Sequence, residues 1–236
     1  MNQQMVVPFS ALDDVSLEGF LSAGNESLIT QIRLLIRGER AKKIIYFWGE
    51  SGSGKTHLLN GCCDFARLQN RRSVYLPIGT EHDDGSLPNG FDYDFDCKGV
   101  VCIDDLQNLK GNRESQEALF TLYEQLNAQD GVLIIAANQP PTQIQLELKD
   151  LESRLTSGGI FTLSPLSDEA KREALILRAS QRGFELETRA VDFIMTHYDR
   201  DTPALFALFE ELDRASLSEH RKITIPFIKR LIDNIA

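Results

Sequence analysis

One stretch of this chain constrains the fold more than any other: Gly49-Glu50-Ser51-Gly52-Ser53-Gly54-Lys55-Thr56. It follows the apolar run Ile44-Ile45-Tyr46-Phe47-Trp48 and leads into the helix-like His57-Leu58-Leu59-Asn60-Gly61-Cys62-Cys63. A strand, a glycine-rich loop and a helix in that order, with Gly, Gly, Lys and Thr at this spacing, make a P-loop. Glycines without Cβ let the backbone curl so that successive N–H groups point at phosphate oxygens. The helix N-terminus adds partial positive charge. Lys55 is expected to reach the terminal phosphates and the Thr56 hydroxyl to ligate magnesium, with Gly49 through His57 as the nucleotide contacts. The competing reading is a glycine-rich turn that binds nothing.

The remaining pattern predicts an α/β domain followed by helices. Leu28, Ile32, Leu35 and Ile36 recur at helical spacing, ending near Gly38. Ser73–Ile78, Val100–Ile103, Val132–Ala137 and Ile160–Leu163 read as strands, the middle two as continuous apolar runs covered on both faces. Glu114–Gln129 reads as a helix with Leu119, Leu122, Tyr123 and Leu126 on one side. Strands alternating with helices imply a parallel sheet with ligands at the carboxyl ends of its strands. After Pro165 the pattern is helical throughout. Ser167-Asp168-Glu169 starts a helix that Gly183 stops; Thr202-Pro203 reads as a hydroxyl cap and first turn; Phe227, Ile228, Leu231, Ile232 and Ile235 mark the last helix. The expected division is a tail at 1–16, a nucleotide-binding α/β domain at 17–164 and a small helical lid at 165–236.

A net charge of −10 argues against a free-standing DNA-binding domain, whose footprint should be basic. Arg33, Arg37, Arg40, Lys42 and Lys43 form the exception and read as a solvated helix face and loop. Glu81, Asp83, Asp84, Asp92, Asp94 and Asp96 form an acidic loop broken by Gly85, Pro88, Asn89 and Gly90. The four cysteines, Cys62, Cys63, Cys97 and Cys102, match no zinc or redox spacing and are expected reduced. The apolar runs are too short for a membrane span, and Met1-Asn2-Gln3-Gln4 lacks the basic start of a secretory signal, so the expectation is a cytoplasmic protein without a membrane partner.

Four further residues carry candidate chemistry. Asp104-Asp105 follow a buried strand, where Asp104 can hold the magnesium shell and Asp105 can polarise an attacking water. Asn138, just past the next strand, can orient that water or touch the terminal phosphate, although Asn also commonly begins turns. Arg154, in Asp150-Leu151-Glu152-Ser153-Arg154-Leu155-Thr156-Ser157-Gly158, has the permanent charge suited to a phosphoryl transition state; spacing alone favours an ion pair with Glu152 or Asp150.

Together the P-loop, Cys102-Ile103-Asp104-Asp105, Asn138, Ser153-Arg154-Leu155 and the helical lid resemble the AAA+ ATPases. More narrowly the chain resembles the DnaA-related regulators of the Hda family. The specific segments are Pro165-Leu166-Ser167-Asp168-Glu169, Arg182-Gly183-Phe184-Glu185-Leu186, Leu212-Asp213-Arg214-Ala215-Ser216 and Arg221-Lys222-Ile223-Thr224-Ile225-Pro226-Phe227. The resemblance implies a negative regulator of replication initiation that binds ADP or ATP with Mg2+, docks on the DNA-loaded sliding clamp and stimulates ATP hydrolysis by DnaA. It places the arginine finger on Arg154, acting in trans, and the clamp-binding strip on Gln4-Met5-Val6-Val7-Pro8-Phe9, where Val7 replaces the usual leucine. The lid arginine that reads nucleotide in this family falls on Pro203, which has neither charge nor N–H, with Arg200 about one helical turn away. A self-dimer burying Arg154 or the N-terminal strip would be an inhibited form. The alternatives are an autonomous AAA+ ATPase such as a helicase loader, and a small-molecule kinase, for which nothing beyond Asp105 supplies a base.

Overall fold

The computed structural model describes residue 17 and residues 24–39, 43–79, 98–219 and 222–235, with side chains to 233. The N-terminal strip at residues 4–9, the acidic loop, Arg40, Lys42 and Cys97 lie outside the described residues.

Five strands build the sheet: β1 (Ile44–Trp48), β2 (Ser73–Pro77), β3 (Val100–Asp104), β4 (Val132–Ala137) and β5 (Gly159–Thr162). Their order is β2-β3-β4-β1-β5 and every pairing is parallel. The period-2 alternation of a strand sends neighbouring side chains to opposite faces. Ile45 and Phe47 of β1, Val100 and Cys102 of β3, and Val132, Ile134 and Ala136 of β4 therefore join one core, under α1 (Glu26–Ile36) and α2 (Lys55–Leu68). Ile44, Tyr46, Val101, Ile103, Leu133, Ile135 and Ala137 join the other, under α3 (Arg113–Ala128) and α4 (Lys149–Ser157). Double coverage explains the continuous apolar runs. Gly158 allows β5 to approach β1, since a Cβ there would lie 2.5 Å from Ile44 Cγ2 and 2.9 Å from its carbonyl oxygen.

Helix α4 is a finding the periodicity did not predict: nine residues long, it buries Leu151 and Leu155 alone. Two features of the sequence reading change. Asp104 is the last residue of β3 rather than the first beyond it, and α7 begins at Thr202 itself. Asp201 O accepts from Leu205 N at 3.0 Å, so Thr202 occupies the first turn and is not its cap. The basic stretch is partly engaged rather than merely solvated: Arg33 donates to Leu17 O at 3.3 Å, the Arg37 guanidinium sits 5.6 Å from the Phe65 ring centre, and Lys43 pairs with Asp130 at 3.0 Å. Cys62, Cys63 and Cys102 are buried, unbridged thiols.

Beyond β5 the described chain is all helix: α5 (Asp168–Gln181), α6 (Thr188–His197), α7 (Thr202–Glu219) and α8 (Ile225–Ile235). Ser167 Oγ caps α5 by accepting from Ala170 N at 3.2 Å, and Gly183 takes φ +79° just past its end. Leu175, Val191, Ile194, Leu205, Leu208, Phe209, Leu212 and Ile228 fill a separate core. Arg182 crosses it, pairing with Asp213 and, at 2.9 Å, with Glu210. The strand-to-lid connection is tied back to α1: Asn25 Nδ2 donates to Ser164 O at 3.1 Å and Ser164 N donates to Asn25 Oδ1 at 2.9 Å. No helix among the described residues is long and apolar enough to cross a membrane.

Candidate nucleotide site

The loop between β1 and α2 is built on glycine geometry. Gly52 and Gly54 have φ +76° and +93°, the left-handed region where a Cβ is strained. Gly49 packs so tightly that a Cβ would meet Leu163 O at 2.6 Å. Ser53 Oγ is buried without a hydrogen-bond partner among the described residues, packed toward Gly49, where an added Cβ would lie 2.8 Å from it. Lys55 folds back onto the loop, donating to Gly49 O at 2.9 Å and Glu50 O at 2.8 Å. Burial pulls the Lys55 ammonium below its ordinary value, with Asp104 and Asp105 opposing that shift.

Asp104 ends β3 and accepts three hydrogen bonds. Its Oδ2 receives the Thr56 hydroxyl at 2.6 Å and the Tyr75 hydroxyl at 2.9 Å, and its Oδ1 receives Asp105 N at 3.0 Å. Burial raises the Asp104 carboxyl above the usual carboxylate range, an effect the Thr56 bond reduces and the nearby Asp105 charge reinforces. Thr56 and Asp104 thus present hard oxygen donors at the helix N-terminus, the donor type that magnesium takes. Asp105 stands in the left-handed region at φ +56°, uncommon for a residue with a Cβ. Gln107 holds it there: Gln107 Nε2 donates to Asp105 Oδ1 at 2.9 Å, and Gln107 Oε1 accepts from Asn138 N at 3.0 Å. One amide therefore ties the two strand-end positions together.

Facing the loop, the lid closes a cavity of about 400 Å³. Ser51, Gly52, Ser53, Gly54, Lys55, Thr56, His57 and Asp105 line one wall. Leu166, Ala174, Leu177, Arg178, Gln181, Thr202, Pro203 and Phe206 line the other. The two walls touch at Gly52, where a Cβ would lie 2.9 Å from Pro203 Cδ and 3.0 Å from Asp201 Oδ1.

The sequence-predicted residues divide by place. Ser51 through His57 and Asp105 share the cavity; Gly49 and Glu50 form the loop's base, and Asp104 lies beneath Thr56. Asn138 reaches the site through Gln107 and is not part of the wall. Arg200 is engaged inside the lid, with Nε on Met195 O at 2.8 Å and a terminal nitrogen on Asp168 at 3.0 Å. Arg154, on α4, lies outside the cavity and is half exposed. It pairs with Glu124 at 3.3 Å and sits 5.9 Å from the Tyr123 ring centre. Neither Asp150 nor Glu152 is its partner, which corrects the expectation from spacing; Glu152 pairs with Lys149 at 2.9 Å. Sequence reasoning missed Tyr75, Gln107 and the lid wall apart from Pro203. Their contacts join distant segments; the one available signal was the spacing of Ala174, Leu177, Arg178 and Gln181 along a single helix face.

Known proteins show the same two parts. Residues 168–232 match the family described as "Hda, lid domain", and residues 89–162 match the bacterial DnaA ATPase domain. An uncharacterised protein of Haemophilus influenzae is 36% identical over 236 residues, covering 99% of this chain and 100% of that one. Domain III of the replication initiation protein DnaA from Thermotoga maritima superposes with a TM-score of 0.75 at 19% identity, over 94% of this chain and 96% of that one. AMPPCP-bound DnaA from Aquifex aeolicus gives 0.66 at 21% identity, over 89% and 71%. At those identities the structures speak to the fold: a parallel sheet with flanking helices and a helical lid.

Proposed function

Since the chain belongs to the Hda- and DnaA-like AAA+ proteins, we propose that it is a DnaA-related regulator of replication initiation whose own nucleotide sets its conformation and whose Arg154 serves a partner's site. One observation carries this reading. The glycine loop and the lid line a shared cavity, whereas Arg154 stands outside that cavity on another helix, half exposed. An arginine so placed acts on phosphate held by a second protein, not on phosphate held beneath its own lid.

Within the cavity, ADP or ATP lies with its phosphates on the Ser51–Thr56 backbone and its base against Leu166 and Leu177. Lys55 exchanges its contacts with Gly49 O and Glu50 O for phosphate oxygens. Thr56 and Asp104 are the residues that would hold magnesium, which when bound neutralises charge on the terminal phosphates. The partners are DnaA and the sliding clamp, the latter reached through Gln4, Met5, Val6, Val7, Pro8 and Phe9. A glutamine anchor with apolar neighbours suits insertion of an extended strip into a hydrophobic groove.

The test is ATP hydrolysis by DnaA, measured with and without this protein, clamp and DNA. The wild type accelerates hydrolysis. Arg154→Ala keeps nucleotide and clamp binding and loses the acceleration, because a supplied arginine contributes on the order of 10³–10⁵ in rate. Full stimulation by Arg154→Ala would sink the assignment. A self-contained ATPase is the second reading, favoured by the Asp104–Asp105 pair at the loop. It requires turnover without DnaA and oligomers that form with ATP and DNA, which sedimentation detects.

A further inference from the structure

Helix α5 places Ala174, Leu177, Arg178 and Gln181 on the cavity wall, and Phe206 comes to the same wall from α7. The Arg178 guanidinium lies 3.9 Å from the centre of the Phe206 ring, the closest arginine–ring approach described in the protein. Such a stack fixes the plane of the guanidinium against the cavity wall. Of the side chains the lid contributes to this cavity, Arg178 alone carries a formal charge. At the start of α7 the wall is Pro203, with no charge and no N–H, and Arg200 is bound to Met195 O and Asp168.

The opposite wall brings one ammonium, Lys55, and one carboxylate, Asp105. Those charges cancel in sum, so the loop wall meets a polyphosphate with backbone N–H dipoles and no net side-chain charge. Arg178 supplies the missing cation, and a planar fork of donors suits phosphate oxygens in pairs. We propose that Arg178, seated on the Phe206 ring, is the lid group that binds the phosphates of a nucleoside di- or triphosphate, taking the place of a cation at the start of α7. This rests on the nucleotide reading of the cavity given above.

The experiment titrates ADP by calorimetry, and adenosine to millimolar levels by ligand-observed NMR, against the full-length wild type and Arg178→Ala, Arg178→Lys, Phe206→Ala and Lys55→Ala. Cooperative thermal unfolding verifies that each variant is folded. Arg178→Ala weakens ADP binding about 10- to 100-fold, the scale of a lost charge-assisted hydrogen-bond pair, and leaves adenosine within about threefold. Arg178→Lys recovers part of the loss, because it keeps the charge and loses the fork. Phe206→Ala combined with Arg178→Ala is less than additive. Equal losses for ADP and adenosine would place Arg178 on the base and overturn the proposal. Wild-type ADP affinity in Arg178→Ala, alongside a loss in Lys55→Ala, would overturn it while leaving the nucleotide reading intact. Unchanged ADP affinity in Lys55→Ala would remove the reading itself.

Discussion

Asp104 carries an electrostatic conflict that the sequence shows only as an acidic pair. Its ionised form suits a cation, yet burial raises its pKa above the unfolded value. The folded protein therefore holds the proton more tightly than the unfolded chain does. The linked stability is fully present below the unfolded carboxylate pKa and is lost as pH rises through the folded one. Asp104→Asn removes that slope. Its carbonyl oxygen takes the Asp105 N–H, and its amide donates to the Thr56 and Tyr75 hydroxyls, which turn to accept. At neutral pH the variant is expected to melt higher than wild type in the absence of nucleotide, and to lose the magnesium-dependent part of nucleotide affinity. Thermal unfolding between pH 4 and 8, with a binding titration in chelator and in magnesium, checks both. A lower melting point at pH 7 would contradict the sign.

At the scale of elements, the P-loop, its flanking strand and helix, and the two central strands were legible because each depends on local pattern. Glycines at fixed spacing, apolar runs of five or six residues and a capped helix start need no knowledge of the rest of the chain. Helix α4 escaped because two buried leucines in nine residues leave little periodicity to read. The partner of Arg154 escaped for another reason: Glu124 is on α3, and only packing brings α3 and α4 together. Gln107, Tyr75 and Arg178 are of the same kind. Asn25 shows such a contact with a mechanical role, since its amide copies a backbone pair to hold Ser164 at the base of the lid. Asn25→Ala leaves a partly buried N–H and C=O without partners, at a cost of about 1–3 kcal/mol. Urea unfolding measures it; a change below a few tenths of that scale would show that water replaces the amide.

For the whole molecule, the acidic balance matters most. A net charge of −10 disfavours direct attraction to DNA, and the proposed route to DNA through a clamp rests on the N-terminal strip. Replacing Gln4, Pro8 and Phe9 together with alanine is expected to abolish clamp binding in surface-plasmon measurements while nucleotide affinity and melting temperature stay at wild-type values. Unchanged clamp affinity would reject the strip. The approach of Pro203 to Gly52 joins the glycine loop directly to the lid. A displacement of the lid helices is therefore felt at the loop without having to pass through the sheet.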